Sequence, residues 1–350
     1  MSIPANPSSI CIMRLSAIGD VCHAVAMVQA IQRRHPQAQI TWIIGKVEAQ
    51  LLAGLDGVEL VVFDKRLGWK GYKVLWQQLK GKRYDVLLHM QVALRASIAT
   101  LGIKANVKVG FDKARAKEGQ WLFTNHQIQP QLQPHVLDGF MNFARELDVE
   151  PTTPSWNMPL SAEDLVFAEQ QITTETPTLI ICPAASKAER NWLPERYAAI
   201  ADFASSQGLQ VLLCGGPTKS EQQLAKQICN HSNVNINNMV GQTTLKQLLA
   251  LLKSASMVLA PDTGPAHMAT TQGTPVIGLY AHSNPLRTGP YLSQQFIISC
   301  YQQHIEKQQN KPLKQITFGA RAKGNNLMDS LKVSDVKYIL EKMVKYKNEE

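Results

Sequence analysis

The chain has 350 residues, 45% of them hydrophobic and 18% charged, and at that length two domains are expected rather than one core. No apolar run reaches the roughly 18 to 20 residues that cross a bilayer, and the opening MSIPANPSSI has neither the basic start nor the apolar stretch of a secretory signal, so a cytoplasmic location is expected. The net charge of +9 is local: residues 61–120 hold 13 basic and 4 acidic side chains, and the remainder balances at 23 of each.

In chain order, the first half alternates β-rich runs at 10–15, 39–44, 60–63, 85–90 and 108–110 with helical patterns at 23–34, 47–53, 72–80 and 93–102. Val25, Val28 and Ile31, with Ala24 and Met27 alongside, make one helical face. Strands alternating with helices predict a parallel sheet covered on both sides. A helix near 135–147 is followed by Pro151, Pro154 and Pro159, a density that reads as a linker. The alternation then restarts, with strands at 179–182, 210–214, 257–260 and 276–280 and helices at 194–206, 221–229, 244–253 and 265–272. The tail, 333–345, has Val333, Val336, Ile339, Leu340 and Val344 on one helical side. The expected plan is α/β: two Rossmann-like doubly wound units, 1–155 and 156–325, facing across a cleft, and a C-terminal helix in 326–350 that packs back on the first unit. Ligands of such sheets bind at the carboxyl ends of the strands.

The six cysteines are scattered, without a C-x-x-C pair, and read as small buried hydrophobes. The basic stretch 61–120 is either a solvated lysine-rich face or a surface for nucleic acid, an anionic membrane or a phosphorylated substrate. Nucleic acid is the weakest of these, because no nucleic-acid-reading module is present.

Four motifs fall at strand ends. Arg14-Leu-Ser-Ala-Ile-Gly-Asp20 follows the first strand, where Gly19 tightens the turn and Asp20 opens the next helix. Asp20 is then either a helix cap or a general base that takes a proton from a sugar hydroxyl. Pro261-Asp-Thr-Gly-Pro-Ala-His267 follows the strand at 257–260. Asp262 or Thr263 is expected to cap the helix, Gly264 to admit a close ligand, and the helix start to suit a diphosphate. His267 is either a core histidine or part of the same pocket. The loop Pro183-Ala-Ala-Ser-Lys-Ala-Glu-Arg-Asn-Trp192 sets Ser186, Lys187 and Arg190 at another edge. They either neutralise a departing diphosphate or lie idle on a surface loop. Cys214-Gly-Gly-Pro-Thr218 is either a close-approach site for a nucleotide or an ordinary turn. No G-x-x-x-x-G-K-[ST] and no strand-borne G-x-G-x-x-G is present, and neither an Asp-x-Asp pair nor a His/Cys cluster offers a metal site.

Taken together, Arg14–Asp20, Arg190-Asn-Trp192 and Asp262-Thr-Gly-Pro-Ala-His267 resemble the lipopolysaccharide heptosyltransferases, glycosyltransferase family 9, over nearly the whole chain. The stretches 42–50, 62–66 and 88–96 look closest to heptosyltransferase I of the type that acts on a single phosphorylated Kdo (3-deoxy-D-manno-octulosonic acid) on lipid A. The resemblance implies a GT-B fold, ADP-heptose as donor, Kdo-lipid A as acceptor, inversion without a metal or other cofactor, and a peripheral place on the inner membrane. It puts Asp20 on the catalytic base and Asp262, Thr263, Gly264 and His267 on the donor motif. Ser186 falls on a diphosphate-contacting hydroxyl. Arg190 stands where the family usually has lysine, so Lys187 is a rival for that role. Thr218 and Glu221 are candidates at the nucleoside, and Ser16, Gly19, Arg66 and Arg95 at the acceptor. Open alternatives are a GT-B transferase or an epimerase using another nucleotide sugar, and a non-catalytic nucleotide-binding protein in which Asp20 only caps a helix.

Overall fold

The central strand of the first sheet shows why this chain folds as it does: Ile10, Cys11, Ile12 and Met13 are all fully buried. A strand without a polar face must be covered on both sides, and this is the signature of a parallel sheet between helix layers. The computed structural model describes residues 2–173 and 176–349, with side chains through Lys345. It divides into two units, Met1–Pro159 and Leu160–Glu350.

The first unit runs β1 (Ser9–Met13), α1 (Ile18–Arg34), β2 (Gln39–Gly45), α2 (Lys46–Leu52), β3 (Val58–Phe63), α3 (Trp69–Gln78), β4 (Tyr84–His89), α4 (Leu94–Ala99), β5 (Ala105–Gly110), β6 (His126–Gln127) and α5 (Val136–Arg145). Its six strands pair in parallel in the order β3-β2-β1-β4-β5-β6. The chain therefore leaves β1 on one side and returns on the other at β4, which opens a crevice at their carboxyl ends. Below it, Cys11, Met13, Leu75, Leu79 and Leu87 form part of one core layer.

The second unit runs α6 (Ala162–Gln171), β7 (Thr178–Ile181), α7 (Pro194–Ser206), β8 (Gln210–Leu213), α8 (Lys219–His231), β9 (Asn237–Asn238), α9 (Leu245–Ser254), β10 (Met257–Pro261), α10 (Gly264–Thr271), β11 (Val276–Tyr280), α11 (Pro285–Thr288), β12 (Ile297–Ser299), α12 (Tyr301–Gln309) and α13 (Val333–Glu349). Its order, β12-β11-β10-β7-β8-β9, repeats the plan, with the reversal between β7 and β10. The expected doubly wound α/β architecture is present in both units.

Three details differ from expectation. The proline-rich stretch is bound to α1: Gln29 Nε2 donates to the Asn157 carbonyl at 2.7 Å, and Trp156 Nε1 to the Cys22 carbonyl at 2.8 Å. These bonds carry the first unit to Pro159. The C-terminal helix α13 buries Val336, Leu340 and Met343 in the second unit's core, beside Trp192 and Tyr197. It belongs to that unit, and Arg196 locks the approach to it by donating to the carbonyls of Asp329 and Leu331 at 2.7 and 2.5 Å. The edge strands β6, β9 and β12 are two or three residues long, too short to leave a periodic pattern.

Burial has one consequence for pH. His89, at the end of β4, is fully buried with Nε2 3.0 Å from Ser97 Oγ. Burial, and then the charge of Lys108, lowers its pKa to about 3. It is neutral in the folded chain and would protonate near pH 6.5 when unfolded. Its contribution is therefore intact above pH 6.5 and lost as the pH falls toward 3, with a slope of up to about 1.4 kcal/mol per pH unit. Urea titrations between pH 4 and 7 should show this acid loss, and His89→Gln should flatten it.

Candidate active site

In the first unit the chemistry sits on the loops that leave β1 and β4. Their side-by-side strands bring residues about 76 apart in sequence into contact. Arg14 is 8% exposed, with its guanidinium 5.0 Å over the ring of Phe140. Its Nη1 donates to the Met90 carbonyl at 2.6 Å, and its Nη2 pairs with Asp20 Oδ2. Gln91 completes the loop by accepting the Leu15 and Ser16 N–H groups on Oε1 at 3.1 and 3.3 Å. A side chain at Gly45 would stand 2.5 Å from the Leu15 carbonyl, so the end of β2 closes on this loop only because it is glycine.

Asp20 is not the helix cap. α1 begins at Ile18, with Ala17 at the cap position, which makes Asp20 the third helical residue. Its Oδ2 accepts the Ala17 N–H at 3.3 Å, the return half of a capping box. The same oxygen takes Arg14, and among the described residues Oδ1 has no hydrogen-bond partner. The side chain is 32% exposed, so one carboxylate oxygen is anchored and the other is open. Ser16 and Gly19 belong to this loop and first turn. Arg66 and Arg95 lie outside the network: Arg66 is exposed and pairs with Asp64 at 3.3 Å, and the Arg95 carbonyl accepts from Tyr72 Oη at 3.2 Å.

In the second unit the loops after β7 and β10 meet in the same way. Arg190 Nη1 donates to the carbonyl of Asp262 at 3.1 Å and to its Oδ2 at 3.3 Å. Arg190 Nη2 donates to Ser186 Oγ at 3.4 Å. The Ser283 hydroxyl, on the loop after β11, donates to the same Asp262 Oδ2 at 2.5 Å. Beneath them burial, followed by the Asp262 charge, pushes the Tyr280 phenol well above its ordinary range.

The expected cap of α10 is absent from both candidates. Thr263 holds the cap position, but its hydroxyl donates across to the Ala184 carbonyl at 3.1 Å, while Asp262 is taken by Arg190 and Ser283. The first turn at Gly264 thus has no side-chain cap, and a helix start in that state suits an anion. His267 is buried in α10 at 7% exposure. Lys187 points its charge elsewhere: it is 58% exposed, and its Nζ lies 3.8 Å from Glu189.

The Gly215-Gly216 turn serves its own chain. Glu221 accepts the Gly216 N–H at 2.6 Å and the Thr218 hydroxyl at 3.0 Å. A Cβ on either glycine would come within 3.0 Å of that carboxylate. The six cysteines are free, five of them buried, and burial raises the thiols of all six. Among the described residues no group of three His, Cys, Asp or Glu could hold a metal, and no helix is long and apolar enough to cross a membrane.

Gln91 and Ser283 lie outside the four motifs, and Arg14 lies inside the first without a role that spacing assigns. Ser283 was open to discovery as a hydroxyl just past a strand's carboxyl end. Arg14 and Gln91 needed the knowledge that β1 and β4 are neighbours.

Two doubly wound parallel sheets, each with an Arg–Asp group on the loops at its strand reversal, have the α/β plan of the GT-B glycosyltransferases. The profile of Glycosyltransferase family 9 (heptosyltransferase) matches residues 73–317, and the chain belongs to this family as a heptosyltransferase. Over 330 residues it is 48% identical to the lipopolysaccharide core heptosyltransferase OpsX of Haemophilus influenzae, covering 94% of this chain and 95% of that one. The fold matches the family 9 glycosyl transferase of Veillonella parvula with a TM-score of 0.80, at 19% identity and 99% coverage of both chains. It matches the E. coli heptosyltransferase WaaC with ADP with a TM-score of 0.74, at 20% identity and 96% and 99% coverage. A complex of WaaC with ADP-2-deoxy-2-fluoro heptose matches with a TM-score of 0.72, at 19% identity and 95% and 99% coverage.

The Arg14–Asp20 pair can be tested without substrate. Arg14→Met leaves the Met90 carbonyl and Asp20 without their donor, and should lower stability by about 1.5–3 kcal/mol. The same change made on Asp20→Asn should lower it by less, since the pair is already gone. Chemical denaturation of the four chains checks both points.

Proposed function

We propose that this heptosyltransferase transfers L-glycero-D-manno-heptose from ADP-heptose to Kdo of Kdo-lipid A, in the inner core of lipopolysaccharide. The transfer inverts the anomeric centre, needs no metal, and takes place on the cytoplasmic face of the inner membrane. The observation that carries the mechanism is the division of labour in Asp20, with Oδ2 anchored and Oδ1 open. The similarity to a lipopolysaccharide core heptosyltransferase supports the pathway, and the neighbouring structures with ADP and an ADP-heptose analogue support the donor.

The reaction is a single in-line displacement. Asp20 Oδ1 accepts the proton of the attacking Kdo hydroxyl, whose oxygen bonds to the anomeric carbon as the bond to the diphosphate breaks. The electron pair leaves with ADP. Ser16 and Gly19 shape the acceptor side next to Asp20, and Arg66 and Arg95 supply charge for the Kdo phosphate.

On the donor side the first turn of α10, with Thr263 and Gly264, receives the diphosphate together with Ser186. Arg190 is the cation that stabilises its departure, because it is already held at the strand edge by Asp262 and beside Ser186, whereas Lys187 is 58% exposed. A guanidinium has five N–H donors, so Arg190 keeps some for phosphate oxygens while bound to Asp262. Asp262 orients the sugar, with His267 behind it. Thr218 and Glu221 hold the turn at the nucleoside.

Asp20→Asn retains an oxygen for the Ala17 N–H but has no base. It should keep ADP affinity within about twofold while transfer falls by on the order of 10²-fold or more. Near wild-type transfer would reject Asp20 as base. Inhibition by ADP but not by UDP or GDP would confirm the donor, and rates with and without the Kdo phosphate would locate its role.

A further inference from the structure

We propose that the outward face of α3, with the turn before it, docks on an anionic lipid bilayer. This deepens the membrane-facing part of the proposed function and rests on it. Residues 65–80 hold five lysines and arginines and no acidic side chain. α3 turns Gly71 and Leu75 to the core and leaves Trp69 and Val74 68% and 46% exposed, and Leu67, in the turn before it, is 49% exposed. Lys70 and Lys73 are exposed between them and, among the described residues, have no acidic partner. The nearest acid along the chain, Asp64, is taken by Arg66 and Lys46 at 3.3 and 3.7 Å.

Trp69 is braced for this position. Its ring lies 5.2 Å from that of Tyr72, which in turn lies 5.1 Å from Phe63 and 5.9 Å from Trp76. Tyr72 Oη donates to the Arg95 carbonyl and Trp76 Nε1 to the Ala99 carbonyl at 2.9 Å. The two inner aromatics have their polar atoms satisfied by the protein, and the outer indole is presented to the surroundings. Leu94, next to Arg95, is also exposed, and its N–H donates to the Glu118 carboxylate at 2.7 Å.

An indole and aliphatic side chains among lysines match the headgroup and acyl boundary of a bilayer, where tryptophan settles and basic residues meet anionic lipid. A polyanion such as single-stranded nucleic acid would use the lysines and the indole, but it offers nothing to Leu67 and Val74. Ten residues are far too few to span, so α3 lies along the surface.

The test is flotation of the full chain with phosphatidylcholine vesicles, with and without added phosphatidylglycerol and free of any acceptor glycolipid. The wild type should float with the anionic vesicles, less so at high salt. Trp69→Ser/Lys70→Glu/Lys73→Glu should bind about tenfold more weakly or less. Transfer to a detergent-dispersed acceptor should be unchanged, which shows that the variant is folded. Lys70→Gln/Lys73→Gln, a milder pair, should fall in between. Equal flotation of wild type and variants would overturn the α3 surface while leaving membrane association standing. No flotation of the wild type would overturn both. Flotation only with vesicles carrying the acceptor, or tighter binding to an oligonucleotide than to anionic vesicles, would also overturn it.

Discussion

The reversal of strand order in each sheet is the constraint on which the rest depends. In a doubly wound sheet all connections but one run over neighbouring strands, and at the exception two loops diverge and leave a crevice. Here the exceptional connections are β3 to β4 and β9 to β10, and the crevices open where β1 lies beside β4 and β7 beside β10. Each brings together groups more than 70 residues apart: Arg14 with the Met90 carbonyl, and Arg190 with the carbonyl and carboxylate of Asp262. Polar groups gathered there lie over a packed core and beneath open solvent. They are dry enough for their hydrogen bonds to be directional and exposed enough to meet a ligand.

Both reversals use the same pair, an arginine and an aspartate, in different ways. Arg14 and Asp20 lie on one loop and first turn, and a carbonyl on the neighbouring strand's loop holds the arginine. Arg190 and Asp262 come from two loops, so the ion pair is itself the clasp between them. Arg14, Arg190 and Asp262 are largely withdrawn from water, and Asp20 is about one third exposed. Removing one partner from such a pair costs more than the pair contributes, because the other charge stays behind unpaired. Arginine is well suited to both positions: its fixed fork binds a carboxylate and a carbonyl together and still retains donors. Arg190 is thus a clasp whose remaining donors are available to the proposed donor diphosphate.

Much of this was legible in the sequence, and the limits have physical causes. The central strands declared themselves because fully buried parallel strands are continuous apolar runs, and the motifs were placed correctly at their ends. Helix starts were less readable. The apolar face of α1 shows from His23 onward, but the helix begins at Ile18, and this shift of one turn moves Asp20 from cap to third residue. The cap of α10 failed for a related reason: Thr263 and Asp262 have the right chemistry for capping, but long-range partners claim them first. Gly215-Gly216 reads as either a ligand cradle or a turn, and the spacing does not show that Glu221, the third residue of α8, accepts the Gly216 N–H. What spacing cannot reveal is which distant loop lies alongside, and Arg14, Gln91 and Ser283 all draw their significance from that.

The two readings of Asp20, helix-start residue and base, are therefore not rivals. A carboxylate bound through both oxygens would be a structural group only, and one bound through neither would swing freely, losing the orientation on which rapid proton transfer depends. Asp20 gives Oδ2 to the Ala17 N–H and to Arg14, so the helix start and the ion pair fix the direction of Oδ1. The capping-box bond stabilises α1 whether or not a substrate is present, and the orientation of the proposed base comes with it. On the proposed mechanism, asparagine at this position preserves the bond and loses the chemistry, whereas alanine loses both. The difference between those two substitutions thus measures how much of the rate is aim and how much is basicity.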